Sequence, residues 1–123
     1  HQISIALLGS DNANVIANKL SKQFQSNYVF NYVSKYTFNQ TAHIIKQADI
    51  LICCDGGLMH AANASNKTIV PLFARLSSKM QLTDCINAFP LFDKEDVNNI
   101  PVEAVLEKYY DAINFDDNHL QGE

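Results

Sequence analysis

Asp55-Gly56-Gly57-Leu58-Met59-His60 is the segment of this 123-residue chain best equipped for chemistry. It places a carboxylate, two glycines and an imidazole directly after the apolar run Ile50-Leu51-Ile52-Cys53-Cys54. Gly56 and Gly57 let the backbone approach a ligand closely, and amides that open a helix, at the positive end of its dipole, suit a diphosphate. Asp55 is suited to accept hydrogen bonds from sugar hydroxyls. His60, about one turn into the helix, reaches the same ligand as a donor or charge partner. The set fits a phosphorylated sugar. The plainer alternative is that Asp-Gly-Gly is a tight turn and His60 an ordinary, partly buried histidine.

These residues need a frame, and the apolar periodicity supplies one. Ile3 to Leu8 reads as a buried strand ending at Gly9-Ser10-Asp11-Asn12. A helix follows, with Ala13, Ile16, Ala17, Leu20 and Phe24 on its inner face. Tyr28 to Val33, aromatic and β-branched, reads as a second strand, followed by the loop Lys35-Tyr36-Thr37. Thr37 and Gln40 have capping-box spacing and open a helix through Phe38, Ala42, Ile45 and Ala48. Ile50 to Cys54 is uninterrupted apolar sequence, expected to be the central strand of a parallel sheet and buried on both faces. A short helix over Leu58 to Ala64 and a strand over Thr68 to Phe73 come next.

The pattern weakens from Arg75 to Asn99, which reads as loop with one short strand near Ile86 to Phe89. Pro101 suits a first helical turn, and Val102, Val105, Leu106, Tyr109 and Ile113 give the closing helix its apolar face. The polar tail after Phe115 is expected to fray. Strict alternation of strand and helix predicts an α/β fold, a Rossmann-like three-layer α/β/α arrangement on at least four parallel strands. In such sheets ligands bind beyond the carboxyl ends of the strands, so the loops at 9–12, 34–37 and 55–60 should share one rim.

Composition narrows the function. With 47% hydrophobic and 18% charged residues the chain can bury one real core, so a single domain over residues 1–123 is expected. No apolar run approaches the roughly 20 residues of a spanning helix. The net charge of -4 gives no footprint for a phosphate backbone, which argues against nucleic acid. Cys53, Cys54 and Cys85 have no metal-ligand spacing and read as buried, reduced thiols of a cytoplasmic protein. The glycines Gly9, Gly56, Gly57 and Gly122 spell neither a dinucleotide fingerprint nor a phosphate loop, which disfavours ordinary NAD and ATP sites. The chain opens at His1, without a methionine, almost directly on an apolar run, so the natural chain is expected to begin upstream.

The stretch Ala48-Asp49-Ile50-Leu51-Ile52-Cys53-Cys54-Asp55-Gly56-Gly57-Leu58-Met59-His60-Ala61-Ala62-Asn63-Ala64 resembles the signature of the lipopolysaccharide heptosyltransferases, glycosyltransferase family 9. That signature reads Ala-Asp, an apolar strand, Asp-Ser/Thr-Gly, two residues, His, then an Ala-rich helix. The similarity extends through Ile69-Val70-Pro71-Leu72-Phe73 and upstream through Lys35-Tyr36-Thr37-Phe38, covering roughly residues 3 to 114. Gly56 stands where the family has Ser or Thr and so removes a hydroxyl donor, and Ala74 replaces a glycine.

The resemblance implies the carboxyl-terminal, donor-binding half of a two-domain GT-B enzyme that binds ADP-heptose or a similar nucleotide sugar. An amino-terminal domain absent from this chain would hold the glycolipid acceptor at the inner membrane and supply the base. By resemblance Asp55, Gly56, Gly57, Leu58, Met59 and His60 lie at the donor sugar and diphosphate. Lys35, Tyr36 and Thr37 lie beside the base, and Asp11 lies near the ribose; the plainer role for Asp11 is a helix N-cap. The implied reaction is inverting transfer with no cofactor or metal demanded, by a cytoplasmic enzyme peripheral to the inner membrane, and this chain alone is expected to be inactive. Two other readings stay open: a non-catalytic Rossmann-like module whose partner is a protein, and a GT-B transferase that uses a UDP-sugar.

Overall fold

The computed structural model describes residues 3–24, 27–54, 57–74 and 87–121, with side chains to residue 116. The chain divides into two compact units, residues 1–41 and 42–123.

In the first unit β1 (Ile5–Leu7) and β2 (Val29–Asn31) pair in parallel, Ile5 opposite Val29 and Leu7 opposite Asn31. A 3-10 turn at Asp11–Ala13 leads into α1 (Asn14–Gln23), which packs on β2 and is tied to it by Asn31 Nδ2 donating to Asn18 Oδ1 at 3.3 Å. The buried stripe of α1 is narrower than its apolar spacing predicts. Ala17 is buried, whereas Ile16 and Phe24 are 64% and 53% exposed. A two-stranded sheet covers only a narrow strip of a helix, and the outer members of the predicted face lie beyond it.

α2 (Phe38–Gln47) starts at the expected place. The Gln40 amide donates to Thr37 Oγ1 at 3.2 Å and the Thr37 amide donates to Gln40 Oε1 at 2.9 Å, the reciprocal bonds of a capping box. Ile45 on this helix is buried.

The second unit is built on β3 (Ile50–Cys54), β4 (Thr68–Ala74) and β5 (Leu91–Asp93), in the order β3-β4-β5 with every pairing parallel. β4 is therefore the middle strand of this sheet, which corrects the expectation that Ile50 to Cys54 would be central. Thr68, Ile69, Val70 and Pro71 are buried in succession, so both faces of β4 are covered. β3 has a sheet neighbour on one side only, among the described residues, and Ile52 is 46% exposed. An apolar run reports hydrophobicity but not neighbours, and two such runs compete for the centre here.

The weak region also resolves differently from its pattern. Ala88 bridges Ile69 in parallel and Leu91 pairs with Leu72, keeping one register along β4. Between those pairings Pro71, which faces this neighbour as Ile69 does, has no N–H to give, and the ladder lapses there. The regular strand thus lies at Leu91–Asp93, after the predicted Ile86 to Phe89, and residues 75–86 fall outside the described residues.

α3 (Gly57–Ala64) joins β3 to β4 and packs on both. It ends in a Schellman motif: the Lys67 amide donates to the Ala62 carbonyl at 3.0 Å, the Asn66 amide donates to the Asn63 carbonyl at 3.1 Å, and Asn66 is left-handed at φ 56°. A 3-10 turn at Val97–Asn99, capped by Asp96 Oδ1 accepting from the Asn98 amide, precedes α4 (Val102–Gln121). The Pro101 carbonyl accepts the first bonds of α4, from the amides of Ala104 and Val105. α4 continues past Phe115 to Gln121, where a frayed tail was expected, and it packs on β4 and β5. No helix of the described residues is long and apolar enough to cross a membrane.

Candidate functional site

At the carboxyl end of β3 the last strand residue is Cys54 and the first helical residue is Gly57. Asp55 and Gly56, which join them, lie outside the described residues. From Gly57 onward the geometry is defined. Met59 and Ala62, three residues apart on α3, are fully buried and face the core, so Met59 can offer a ligand only its backbone. Gly57 and His60 are exposed and Leu58 half-buried. His60 is exposed, off the stripe that Met59 and Ala62 bury and one turn from the helix start. The first-turn amides at Gly57, Leu58 and Met59 have no intrahelical acceptor and carry the positive end of the helix dipole.

In the first unit the loops after β1 and β2 come together. The ladder runs on beyond the strands, with the Tyr32 amide donating to the Leu7 carbonyl and the Ser34 amide to the Gly9 carbonyl, both at 3.0 Å. Gly9 is held at φ 158°, and a Cβ there would meet the Ala13 Cβ at 3.1 Å, so the turn requires glycine. Asp11 is exposed and opens the 3-10 turn. The N-cap positions belong to Ser10 and Ala13, neither with a side-chain capping bond, so capping does not explain Asp11.

Lys35 and Tyr36 are exposed on the neighbouring loop, and Thr37 is the capping residue of α2. The Tyr36 ring stands edge-on to Tyr32 at 5.7 Å, and Tyr32 stacks on Phe30 at 6.0 Å with 15° between the planes. This row of rings supports Tyr36 and was not singled out from the sequence, although Tyr28, Phe30 and Tyr32 at alternate positions signal one aromatic face of a strand. The structure thus brings Asp11 and Lys35 to Thr37 onto one rim of the first unit, while Gly57 to His60 belong to the second.

Neither Cys53 nor Cys54 is in a disulfide; Cys53 is half-buried, Cys54 is exposed rather than buried as expected, and Cys85 lies outside the described residues. Among the described residues no group of three or more His, Cys, Asp or Glu is placed to hold a metal ion.

The family profile described as glycosyltransferase family 9 (heptosyltransferase) matches residues 1–95. The chain belongs to glycosyltransferase family 9. Its fold is similar to that of the Escherichia coli ADP-heptose lps heptosyltransferase II, with a TM-score of 0.76 at 20% sequence identity over 93% of this chain and 37% of that one. At that identity the likeness speaks for the α/β fold of parallel sheets and flanking helices. This family 9 chain spans little more than a third of the length of that heptosyltransferase. No curated protein matches it in sequence.

Proposed function

We propose that this chain is the donor-binding domain of a glycosyltransferase that moves a heptose or related sugar from a nucleotide sugar to lipopolysaccharide or lipooligosaccharide. The observation that carries the reading is the family 9 match over residues 1–95, which takes in the Asp11 loop, the Lys35 to Thr37 loop and the whole Asp55 to His60 segment. The domain corresponds to the carboxyl-terminal half of a GT-B enzyme, and the acceptor side belongs to a further domain of the whole protein. The reaction takes place at the cytoplasmic face of the inner membrane.

In this reading the bond between the anomeric carbon and the diphosphate oxygen breaks while an acceptor hydroxyl oxygen bonds to the same carbon from the opposite side. The hydroxyl proton goes to a base on the acceptor domain, and the bond pair leaves with the nucleoside diphosphate. This chain's part is to hold the leaving group. The first-turn amides at Gly57 to Met59 and the imidazole of His60 stabilise charge that grows on the diphosphate, and such fixed donors need no reorganisation during the step. Asp55 accepts from the sugar hydroxyls, and Tyr36, braced by Tyr32, offers a ring face or edge to the base.

Calorimetric titration of the 123-residue chain with ADP, ADP-heptose, UDP and a UDP-sugar tests the proposal. Binding of the adenine nucleotides over the uracil ones supports it. Preference for UDP moves the chain to a different GT-B donor, and no binding of any nucleotide points to a non-catalytic module.

A further inference from the structure

A cleft of about 280 Å³ opens in the second unit, lined by Asp49, Lys67, Thr68, Asn87, Phe115 and Asp116 beside the Asn66 turn. Asp49 directly precedes β3 and Thr68 begins β4, so the cleft lies at the amino-terminal ends of these parallel strands. Gly57 follows the carboxyl end of β3. At about 3.3 Å per residue, β3 separates the cleft from that helix start by roughly 17 Å, and the donor-site reading does not account for it.

The lining is built. Thr68, 4% exposed, donates through Oγ1 to Asp116 Oδ1 at 3.2 Å and so fixes that carboxylate. Phe115 is held edge-on against Phe89 at 5.5 Å. Asn87 Nδ2 donates to the Asn66 carbonyl at 2.9 Å, which sets the orientation of its amide and leaves Oδ1 a buried acceptor with no partner. That Oδ1 exposes almost no surface, so the polar groups this lining offers a ligand are the Asp49 and Asp116 carboxylates and the Lys67 ammonium.

The chemistry of the wall selects a ligand class. Two carboxylates disfavour an anion, and the Lys67 ammonium beside them offsets part of their pull on a simple organic cation. A ligand whose every polar group both donates and accepts suits this mixture, with its C–H face against an aromatic ring. We propose that this cleft is a second binding site, for a pyranose or similar polyol, either as a free sugar or as a unit of an oligosaccharide.

The test is a titration of the full chain, followed by amide chemical shifts, with a free hexose, with an oligosaccharide ending in the same hexose, and with spermidine as a cationic control. Sugar should shift the amides of Lys67, Thr68 and Asp116 without moving Gly57 to His60. Asp49→Ala should weaken sugar binding about tenfold. Asp49 is exposed, and an unchanged melting temperature checks that its replacement leaves the fold intact. Stronger shifts with the oligosaccharide identify a glycan site, and equal shifts a site for free sugar; both support the assignment. Shifts from spermidine alone, no shifts from any probe, or sugar binding unchanged in Asp49→Ala would each overturn it.

Discussion

The Ser34 amide donates to the Gly9 carbonyl at 3.0 Å, which ties the loop after β1 to the loop after β2 beyond the last paired strand residues. Through this bond the rim carrying Asp11 and the rim carrying Lys35 to Thr37 become one surface. It also holds Gly9 against the 3-10 turn, where an added Cβ would meet the Ala13 Cβ at 3.1 Å.

Gly9→Ala is accordingly expected to destabilise the chain by about 1–3 kcal/mol, the usual cost of forcing an extra methyl group into a packed position. The double variant Gly9→Ala, Ala13→Gly should recover part of that loss, because it removes the opposing Cβ. Chemical denaturation of the single and double variants measures the coupling, and strictly additive losses would contradict the contact.

Thr37→Ala removes the side-chain acceptor of the Gln40 amide and should cost about 1 kcal/mol of stability. Thr37→Ser, which keeps the hydroxyl, should cost much less. Thermal melts of both variants check the order.

Asn66 occupies the left-handed position that closes α3. Asn66→Ala is expected to lose about 1 kcal/mol, and Asn66→Gly to be neutral or better, since glycine carries no Cβ penalty there. Equal losses from the two substitutions would mean that backbone handedness is not what Asn66 provides.

Asp93 gathers hydrogen bonds on Oδ2 from the amides of Asp96 and Glu95 and from Asn99 Nδ2, and these hold its carboxyl below the usual carboxylate range, with a smaller contribution from Lys94. A pKa lowered by folding contributes stability that is present above the unfolded value and lost as pH falls through the folded one. The stability gap between the native chain and Asp93→Asn should therefore be open at neutral pH and close as the solution is acidified past the carboxylate range. Denaturation midpoints of the two proteins across that range test it. A gap that widened with acid would have the wrong sign.

The parts of the fold legible in the sequence are those determined locally. The Thr37–Gln40 box, the bounds of β3 and the start of α3 follow from residues within one turn or strand of each other. What the pattern could not convey is competition between distant segments. Nothing local tells that Thr68 to Ala74 outranks Ile50 to Cys54 for the middle of the sheet, and Pro71 argues against it, because its missing N–H is tolerated only where the ladder to the β5 side lapses. The burial of α1 was overestimated for the same reason, as periodicity marks a face but not the width of the sheet that covers it. At the candidate site the residue types were legible and the exposure of His60 was not, because helical spacing alone assigns no side to a single polar residue.

The central claim is that the start of α3 binds the donor diphosphate, and the most direct measurement is the affinity of ADP-heptose for the native chain and for His60→Ala, by calorimetry, alongside their melting temperatures. If His60 makes a charge-assisted hydrogen bond to the donor, its loss should weaken binding by about 1–3 kcal/mol and leave the exposed helix face, and so the melting temperature, unchanged. A variant that binds ADP-heptose as tightly as the native chain but melts at a lower temperature would contradict the claim and make His60 a structural residue.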